Sequence, residues 1–302
     1  MSQNTLAESV ELCIIGAGPA GLSAAIYAGR AGIATKLFGR TPKFAADYEI
    51  DNYYGFPETI LGRDLHERGL AQAARFGVPA IEEQVLGLHM AEKGFEVVTA
   101  KSKVLACAVI LATGVARNRP KIAGLSEFEG KGVSYCVTCD GFFFKNKPVV
   151  ALGEGNYAAS QALELLNYTP HVTLCLHGKK SAIDEDFAAR LNKAGVVVVE
   201  QAVERLEGEN GLDRLVFKDG STLDAHGLFV AMGEASGADF AQSLGLQTSG
   251  AYIEVDREQA TNIPGIFAAG DCTGGFLQIS TAVGEGALAA RAAIAYVKKH
   301  CR

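Results

Sequence analysis

Residues 12–15, Leu-Cys-Ile-Ile, form a short run with no polar position, and Gly16-Ala-Gly-Pro-Ala-Gly21 follows at once. An apolar run this short, closed by a glycine turn, predicts a strand buried on both faces. Residues 22–31 are rich in alanine and free of proline, which predicts a helix, and residues 34–38 predict a second strand. Strand, glycine turn, helix and strand open a doubly wound parallel sheet. The pattern then returns. Residues 148–152 predict a strand, Gly153-Glu-Gly-Asn-Tyr-Ala158 the turn, 159–166 a helix and 171–176 the next strand. The expected fold class is therefore α/β with two Rossmann-like dinucleotide-binding domains.

A third stretch starts near Leu246. Residues 262–271 predict a turn, a buried strand and a tight glycine turn, and residues 280–299 a long alanine-rich helix. Its last turns are basic, which suits the negative end of the helix dipole. No low-complexity linker separates these parts, so the second unit is expected to be inserted into the first. Residues 1–116 and 246–302 would form one domain and 117–245 the other, with crossings near residues 114–117 and near Leu244.

With 302 residues the chain is long enough for two domains, and 48% apolar with 21% charged residues is the composition of a folded soluble protein. The formal charge of −6 argues against a general nucleic-acid binder, which needs a basic face. No stretch is apolar enough to span a bilayer, and the polar N-terminus lacks a signal-peptide pattern. A cytoplasmic protein without membrane or nucleic-acid partners is expected. Its seven cysteines have no disulfide-framework spacing, and in a reducing compartment a close pair points to catalysis or metal. Cys13, Cys107 and Cys175 lie in apolar runs and read as small core residues. Cys272 follows Asp271 and reads as packed. Cys301 reads as an exposed, incidental tail thiol. The six histidines show no metal spacing.

Two motifs carry chemistry. Gly16, Gly18 and Gly21 have the G-x-G-x-x-G spacing between a strand and a helix. The first permits a tight turn, the second lets backbone approach a pyrophosphate, and the third brings helix close to strand. Phe38-Gly-Arg40 stands where an acidic ribose ligand usually lies, which offers Arg40 to the adenosine side instead. The second motif is Cys136 and Cys139 within Val133-Ser-Tyr-Cys-Val-Thr-Cys-Asp-Gly141. Such a pair can hold zinc, form a disulfide or simply pack. Zinc wants four ligands, and no second pair sits at a matching spacing, so no metal site is expected. A redox dithiol needs a nearby acid to manage its proton, and Asp140 stands next to Cys139. Asp140 reads equally as a turn or helix-capping residue.

These segments together resemble the low-molecular-weight thioredoxin reductase family from end to end. The matching stretches are Gly16 to Gly21, Ile50-Asp-Asn-Tyr-Tyr-Gly-Phe-Pro57, Ala112-Thr-Gly114, the cysteine segment, Ala269-Gly-Asp271 and Thr281-Ala-Val-Gly-Glu-Gly286. The resemblance implies a homodimer of FAD-dependent disulfide oxidoreductases acting on a thioredoxin-like protein dithiol. It implies that Cys139 lies nearer the flavin, that Cys136 attacks the partner disulfide, and that Asp140 is the general acid. The implied FAD contacts are Gly16, Gly18, Pro19, Ala20, Gly21, Arg40, Asn52, Ala112, Thr113, Gly114, Gly270, Asp271, Gln278 and Ile279. Asp271 would hold the ribityl chain. The helix beginning near Gln278 and Ile279 would aim backbone N–H groups at the flavin N1 and C2 carbonyl.

The second glycine turn departs from that family. Gly153, Gly155, Asn156 and Ala158 keep the frame, but Glu154 and Tyr157 replace small residues, and Tyr157 could block the groove or stack on a ligand ring. The family reads the NADPH 2′-phosphate with a His-Arg-Arg run. Here His177 remains, and Gly178, Lys179 and Lys180 follow. Lysine is a point charge without the bidentate arginine fork. Gly233-Glu-Ala-Ser-Gly237 lacks the family's proline and asparagine, and Leu277 replaces an arginine. Three readings of this site stand: weak use of NADH or NADPH, a second dinucleotide such as another FAD, or no dinucleotide and a protein donor such as ferredoxin. The last two are favoured together over NADPH. Without NADPH the domain rotation that the family uses loses its purpose, so a fixed geometry with Cys139 against the flavin is expected. A non-catalytic redox-sensing flavoprotein is the alternative of another class. A flavin NAD(P)H oxidoreductase without disulfide chemistry is opposed by the retained cysteine pair.

Overall fold

Strand Glu8–Ile15 starts exposed and ends fully buried, and it runs between Thr35–Phe38 and Lys103–Leu111, parallel to both. The structure is a computed structural model that describes residues 8–42, 44–114, 120–233, 235 and 237–302. Lys103–Leu111 is shared by two neighbours on its far side. Its first half pairs antiparallel with Phe95–Thr99, and its second half pairs parallel with Ile266–Ala268. Val85–Met90 and Ala80–Ile81 close the two edges of this seven-stranded sheet. The antiparallel meander over 85–111 carries no glycine motif, so strand periodicity was its only sequence sign.

Two helices cover one face of this sheet, Pro19–Arg30 and the C-terminal Ile279–His300. Their alanine content has a packing cause. Ala20, Ala24, Ala25 and Ala28 meet Ala282, Ala289, Ala290 and Ala293 in a common core. At Gly286 an added Cβ would lie 2.1 Å from the Ala20 carbonyl oxygen, so only glycine allows this approach.

The other sheet is five-stranded and wholly parallel, in the order Val197–Val199, Val172–Cys175, Val149–Leu152, Gly227–Val230 and Val133–Ser134. Helices Asn156–Leu165 and Glu185–Lys193 are its crossovers, and a three-stranded antiparallel sheet over 203–224 packs beside it. The chain forms two compact units, Met1–Ala116 with Ser236–Arg302, and Arg117–Ala235. Most of the crossing expected over 114–117 falls outside the described residues. The return crossing, expected near Leu244, lies earlier. Helix Gly237–Leu244 packs on strand Val85–Met90 and on Tyr252–Ile253, which makes it part of the first unit.

Two cysteine expectations need correction. Cys107 and Cys301 are bonded to each other, with Cα atoms 6.3 Å apart. The C-terminal helix folds back over the sheet, so its last residues reach the middle of strand Lys103–Leu111. Cys301 is therefore half-buried, neither exposed nor incidental, and Cys107 is no free core thiol. Arg302 adds a charged clasp, donating from Nε and Nη2 to the two carboxylate oxygens of Glu11, and it holds that carboxyl below its usual range. Cys13, Cys175 and Cys272 are buried and free. Burial pushes the Cys272 thiol up to about 12 and the Cys175 thiol up to about 11, which keeps both inert at neutral pH. Oxidised protein unfolded without reductant should therefore show three titratable thiols, and Cys301→Ser should show four. Closing a loop this long contributes about 2–4 kcal/mol, so that variant should also melt several degrees lower. An unchanged count would refute the second bond.

Candidate active site

In the first sheet the motif turns are brought together by register. Ile15 is level with Phe38 on one side and Leu111 on the other, and Leu111 is level with Ala268. The chain leaves these four neighbouring strands at the same edge, through Gly16, Gly39, Ala112 and Ala269. Open α/β sheets bind ligands at this carboxyl edge. Gly16–Gly21, Arg40, Ala112–Gly114 and Gly270–Asp271 thus converge, although they are up to 255 positions apart in sequence.

The three glycines of the first turn differ in what a side chain would meet. At Gly16, with φ +116°, a Cβ would lie 2.1 Å from the Ala112 oxygen, and at Gly21 it would lie 1.8 Å from the Gly16 oxygen. At Gly18 nothing among the described residues lies within 4 Å. Two glycines are needed by the fold itself, and the middle one leaves space outside the turn. Gly18 is also the N-cap of helix Pro19–Arg30 with no side-chain cap, so the helix N–H groups are open to a phosphate. Gln278 caps the C-terminal helix, again without a side-chain hydrogen bond to the first turn, and its Oε1 accepts instead from Asn52 Nδ2 at 2.9 Å. Ile279 is the first residue of that helix. Asp271 is half-buried, and desolvation pushes its carboxyl above the usual range. Its turn is fixed by Glu285, whose Oε2 accepts from the Gly270 N–H at 2.7 Å and the Thr273 hydroxyl at 3.3 Å. Glu285 lies in a quoted motif but was given no role there, because a link to Gly270 has no local sequence sign. This cradle of open helix termini, an approachable glycine and a desolvated acid fits a flavin dinucleotide.

The cysteine pair belongs to the second unit. Strand Val133–Ser134 is level with Phe229, which is level with Ala151. Cys136 and Gly153 therefore emerge at one edge of the parallel sheet, about two strand spacings or 10 Å apart. Cys136 and Cys139 are joined as a disulfide, with Cα atoms 5.4 Å apart. Cys136 caps the short helix Val137–Asp140, and its Sγ accepts from the Cys139 N–H at 3.1 Å. Cys136 is 5% exposed, whereas Cys139 is exposed. Thr138 donates to Glu164 Oε1 at 2.7 Å, tying this turn to helix Asn156–Leu165, and Tyr135 donates to Glu129. Asp140 accepts from the hydroxyl of Ser134 at 2.6 Å.

The second glycine turn keeps its backbone geometry. A Cβ at Gly153 would lie 2.2 Å from the Ala231 oxygen, and Gly155 caps helix Asn156–Leu165. Its surroundings are taken up by the chain itself. Glu154 Oε1 accepts from Lys179 Nζ at 2.6 Å, and Glu154 Oε2 is buried with no hydrogen-bond partner among the described residues. Ala182 N donates to the Glu154 carbonyl, and Asn156 exchanges two hydrogen bonds with Asp184. His177 has φ +53°, and its Nδ1 accepts from Val203 N. Burial, then the charges of Lys179 and Lys218, lower its pKa, so it stands as a neutral acceptor. Tyr157 and Ala158 are buried, which leaves the Tyr157 ring no face for stacking on a ligand. Lys180 is exposed.

The chain is similar in sequence and fold to known disulfide oxidoreductases. A family model described as pyridine nucleotide-disulphide oxidoreductase matches residues 10–286. Thioredoxin reductase of Listeria monocytogenes is 37% identical over 96% of this chain and 94% of its own length. That of Bacillus subtilis is 34% identical over 96% and 95%. Among solved structures, the atypical thioredoxin reductase TRi of Desulfovibrio vulgaris Hildenborough is 57% identical with a TM-score of 0.95, covering 97% of this chain and 99% of that one. A ferredoxin-flavin thioredoxin reductase of Clostridium acetobutylicum is 31% identical with a TM-score of 0.75, over 97% and 99%. The chain belongs to the pyridine nucleotide-disulphide oxidoreductase family and is a flavin disulfide oxidoreductase of thioredoxin reductase type.

Proposed function

We propose that this enzyme passes electrons from FAD, held by the first unit, to the Cys136–Cys139 disulfide of the second and on to a thioredoxin-like protein disulfide, and that it takes them from a reduced protein such as ferredoxin rather than from NADPH. The observation that carries this reading is the Glu154–Lys179 pair. Lys179, in the segment that matches the family's phosphate-reading run, is already paired with a carboxylate from the second glycine turn. A 2′-phosphate would have to break this ion pair before Lys179 could receive it, so the lysine gains the site little affinity. The ferredoxin-flavin relative of Clostridium acetobutylicum supports a protein donor.

Bound FAD supplies a two-electron carrier. The chain's own residues then manage sulfur and protons. The reduced pair starts with Cys136 as thiolate, Cys139 as thiol and Asp140 protonated. Cys136 displaces one sulfur of the partner disulfide, which leaves as a thiolate and takes the proton of Asp140. Asp140 regains a proton from Cys139, whose sulfur attacks Cys136 and closes the internal disulfide. The second partner sulfur departs and takes that proton. Two electrons and two protons have moved, and the partner disulfide is a dithiol. Cys136 is the buried member here, so a partner must uncover it before attack. Phe142 and Phe143, both largely exposed just beyond Cys139, offer apolar surface for such a partner. A homodimer is part of this reading by family likeness.

The test is anaerobic mixing of the purified flavoprotein with NADPH, with NADH and with reduced ferredoxin, following the flavin band near 450 nm. Ferredoxin should bleach it within seconds and either nucleotide should fail at millimolar concentration. Rapid bleaching by NADPH would refute the donor assignment. Release and counting of the flavin should give one per chain, and two would favour a second FAD at Gly153–Gly155.

A further inference from the structure

Asp140 is asked to give up and regain a proton in every turnover, and a side chain that changes charge inside a structured turn needs partners in both states. Ser134 is 5% exposed, and its hydroxyl has three neighbours. Oγ lies 3.0 Å from Cys136 N, which donates to it. It also lies 2.6 Å from Asp140 Oδ2 and 3.3 Å from the Cys136 carbonyl oxygen. A hydroxyl has one hydrogen and two lone pairs, so it cannot donate to both oxygens at once. With Asp140 ionised, the hydrogen points to Oδ2. With Asp140 protonated on Oδ2, that carboxyl donates to Oγ, and the Ser134 hydrogen turns to the Cys136 carbonyl. The Cys136 N–H bond stands in both cases. Rotation of one hydroxyl hydrogen therefore keeps Ser134 Oγ, Asp140 Oδ2 and the Cys136 N–H paired across the proton transfer.

We propose that Ser134 is a positioning residue for thiol–disulfide exchange, a two-position hydrogen-bond switch that holds Asp140 beside the Cys136–Cys139 pair in both protonation states. The proposal rests on the reading of Asp140 as the general acid. The other carboxyls that neighbouring elements bring to this turn, Glu129 and Glu164, are engaged by Tyr135 and Thr138. The bond to the ionised carboxylate is charge-assisted and is the stronger of the two arrangements. Removing it costs the ionised carboxylate more than the protonated one.

The experiment is single-turnover oxidation of the reduced holoenzyme by oxidised thioredoxin, across pH 5–9. It compares the native protein with Ser134→Ala, Ser134→Thr, Asp140→Asn and the double variant Ser134→Ala/Asp140→Asn. Asp140→Asn should slow exchange and flatten its pH dependence. Ser134→Ala should lower the plateau rate about tenfold and move the limb that falls with rising pH upward by about one unit. Ser134→Thr, which keeps the hydroxyl, should recover most of the rate. The double variant should match Asp140→Asn alone. An unmoved pH profile in Ser134→Ala, or an additional slowing in the double variant, would overturn the switch while leaving Asp140 as the acid. A normal Asp140→Asn would overturn both. The double-variant comparison does not depend on threonine fitting the site, and flavin content and melting temperature identify any variant that fails to fold.

Discussion

Cys139→Ser should bind flavin at the native ratio and reduce protein disulfide at least about 10³-fold more slowly. A serine hydroxyl supplies no second sulfur, so the internal disulfide cannot close and electrons cannot enter or leave by that route. Flavin should be retained because the glycine turn, Asp271 and the helix start at Gln278 all belong to the other unit. Cys136→Ser should be equally inactive and equally well folded. Cys136 Sγ accepts from the Cys139 N–H at the start of the short helix, and an oxygen can take over that cap. The melting temperature of Cys136→Ser should therefore stay close to native. Fast anaerobic transfer to oxidised thioredoxin in either variant would refute the dithiol route, and loss of flavin in both would show that the pair has a structural part.

Gly21→Ala should fail as a fold, whereas Gly18→Val should fold and fail as a flavin site. At Gly21 the new carbon would sit 1.8 Å from a backbone oxygen, and neither strand nor helix can retreat without breaking the sheet register. Overpacking of this kind costs about 1–3 kcal/mol or more, and here it strikes the helix–strand contact that defines the unit. Gly18 has no neighbour within 4 Å among the described residues, which leaves the apoprotein room for valine. The isopropyl group would occupy the approach that a pyrophosphate needs, and flavin affinity should drop tenfold or more. Thermal melting of apoprotein with a flavin titration separates the two. Equal melting losses in both variants, or native flavin binding by Gly18→Val, would count against the cradle.

Much of this molecule can be read from its sequence because the informative signals are local. A glycine turn between a strand and a helix announces itself within ten residues, and it does so twice. The cysteine segment is equally compact. The four-strand convergence at Gly16, Gly39, Ala112 and Ala269 follows once the sheet is doubly wound. Three features had no local sign. Glu154 has no cation near it in sequence, because its partner Lys179 lies 25 positions downstream on another strand's exit. Cys107 and Cys301 looked like a core thiol and a tail thiol, because their meeting depends on a long helix folding back. Ser134 stood in plain view in the cysteine segment. Its role needs the turn that carries Asp140 back over the strand end, and residue spacing alone does not give that turn.

The parallel sheet of the second unit holds Cys136, Cys139, Asp140 and Ser134 on one short stretch after a single strand, and the insertion brings that stretch in whole. On the proposed reading, sulfur exchange and its proton handling form a self-contained module, and electron supply enters elsewhere. A change of donor then needs alterations only at Glu154, the segment 177–184 and the docking surface. Such a lineage can rewire its source of reducing power while the outlet to its protein partners keeps the same chemistry.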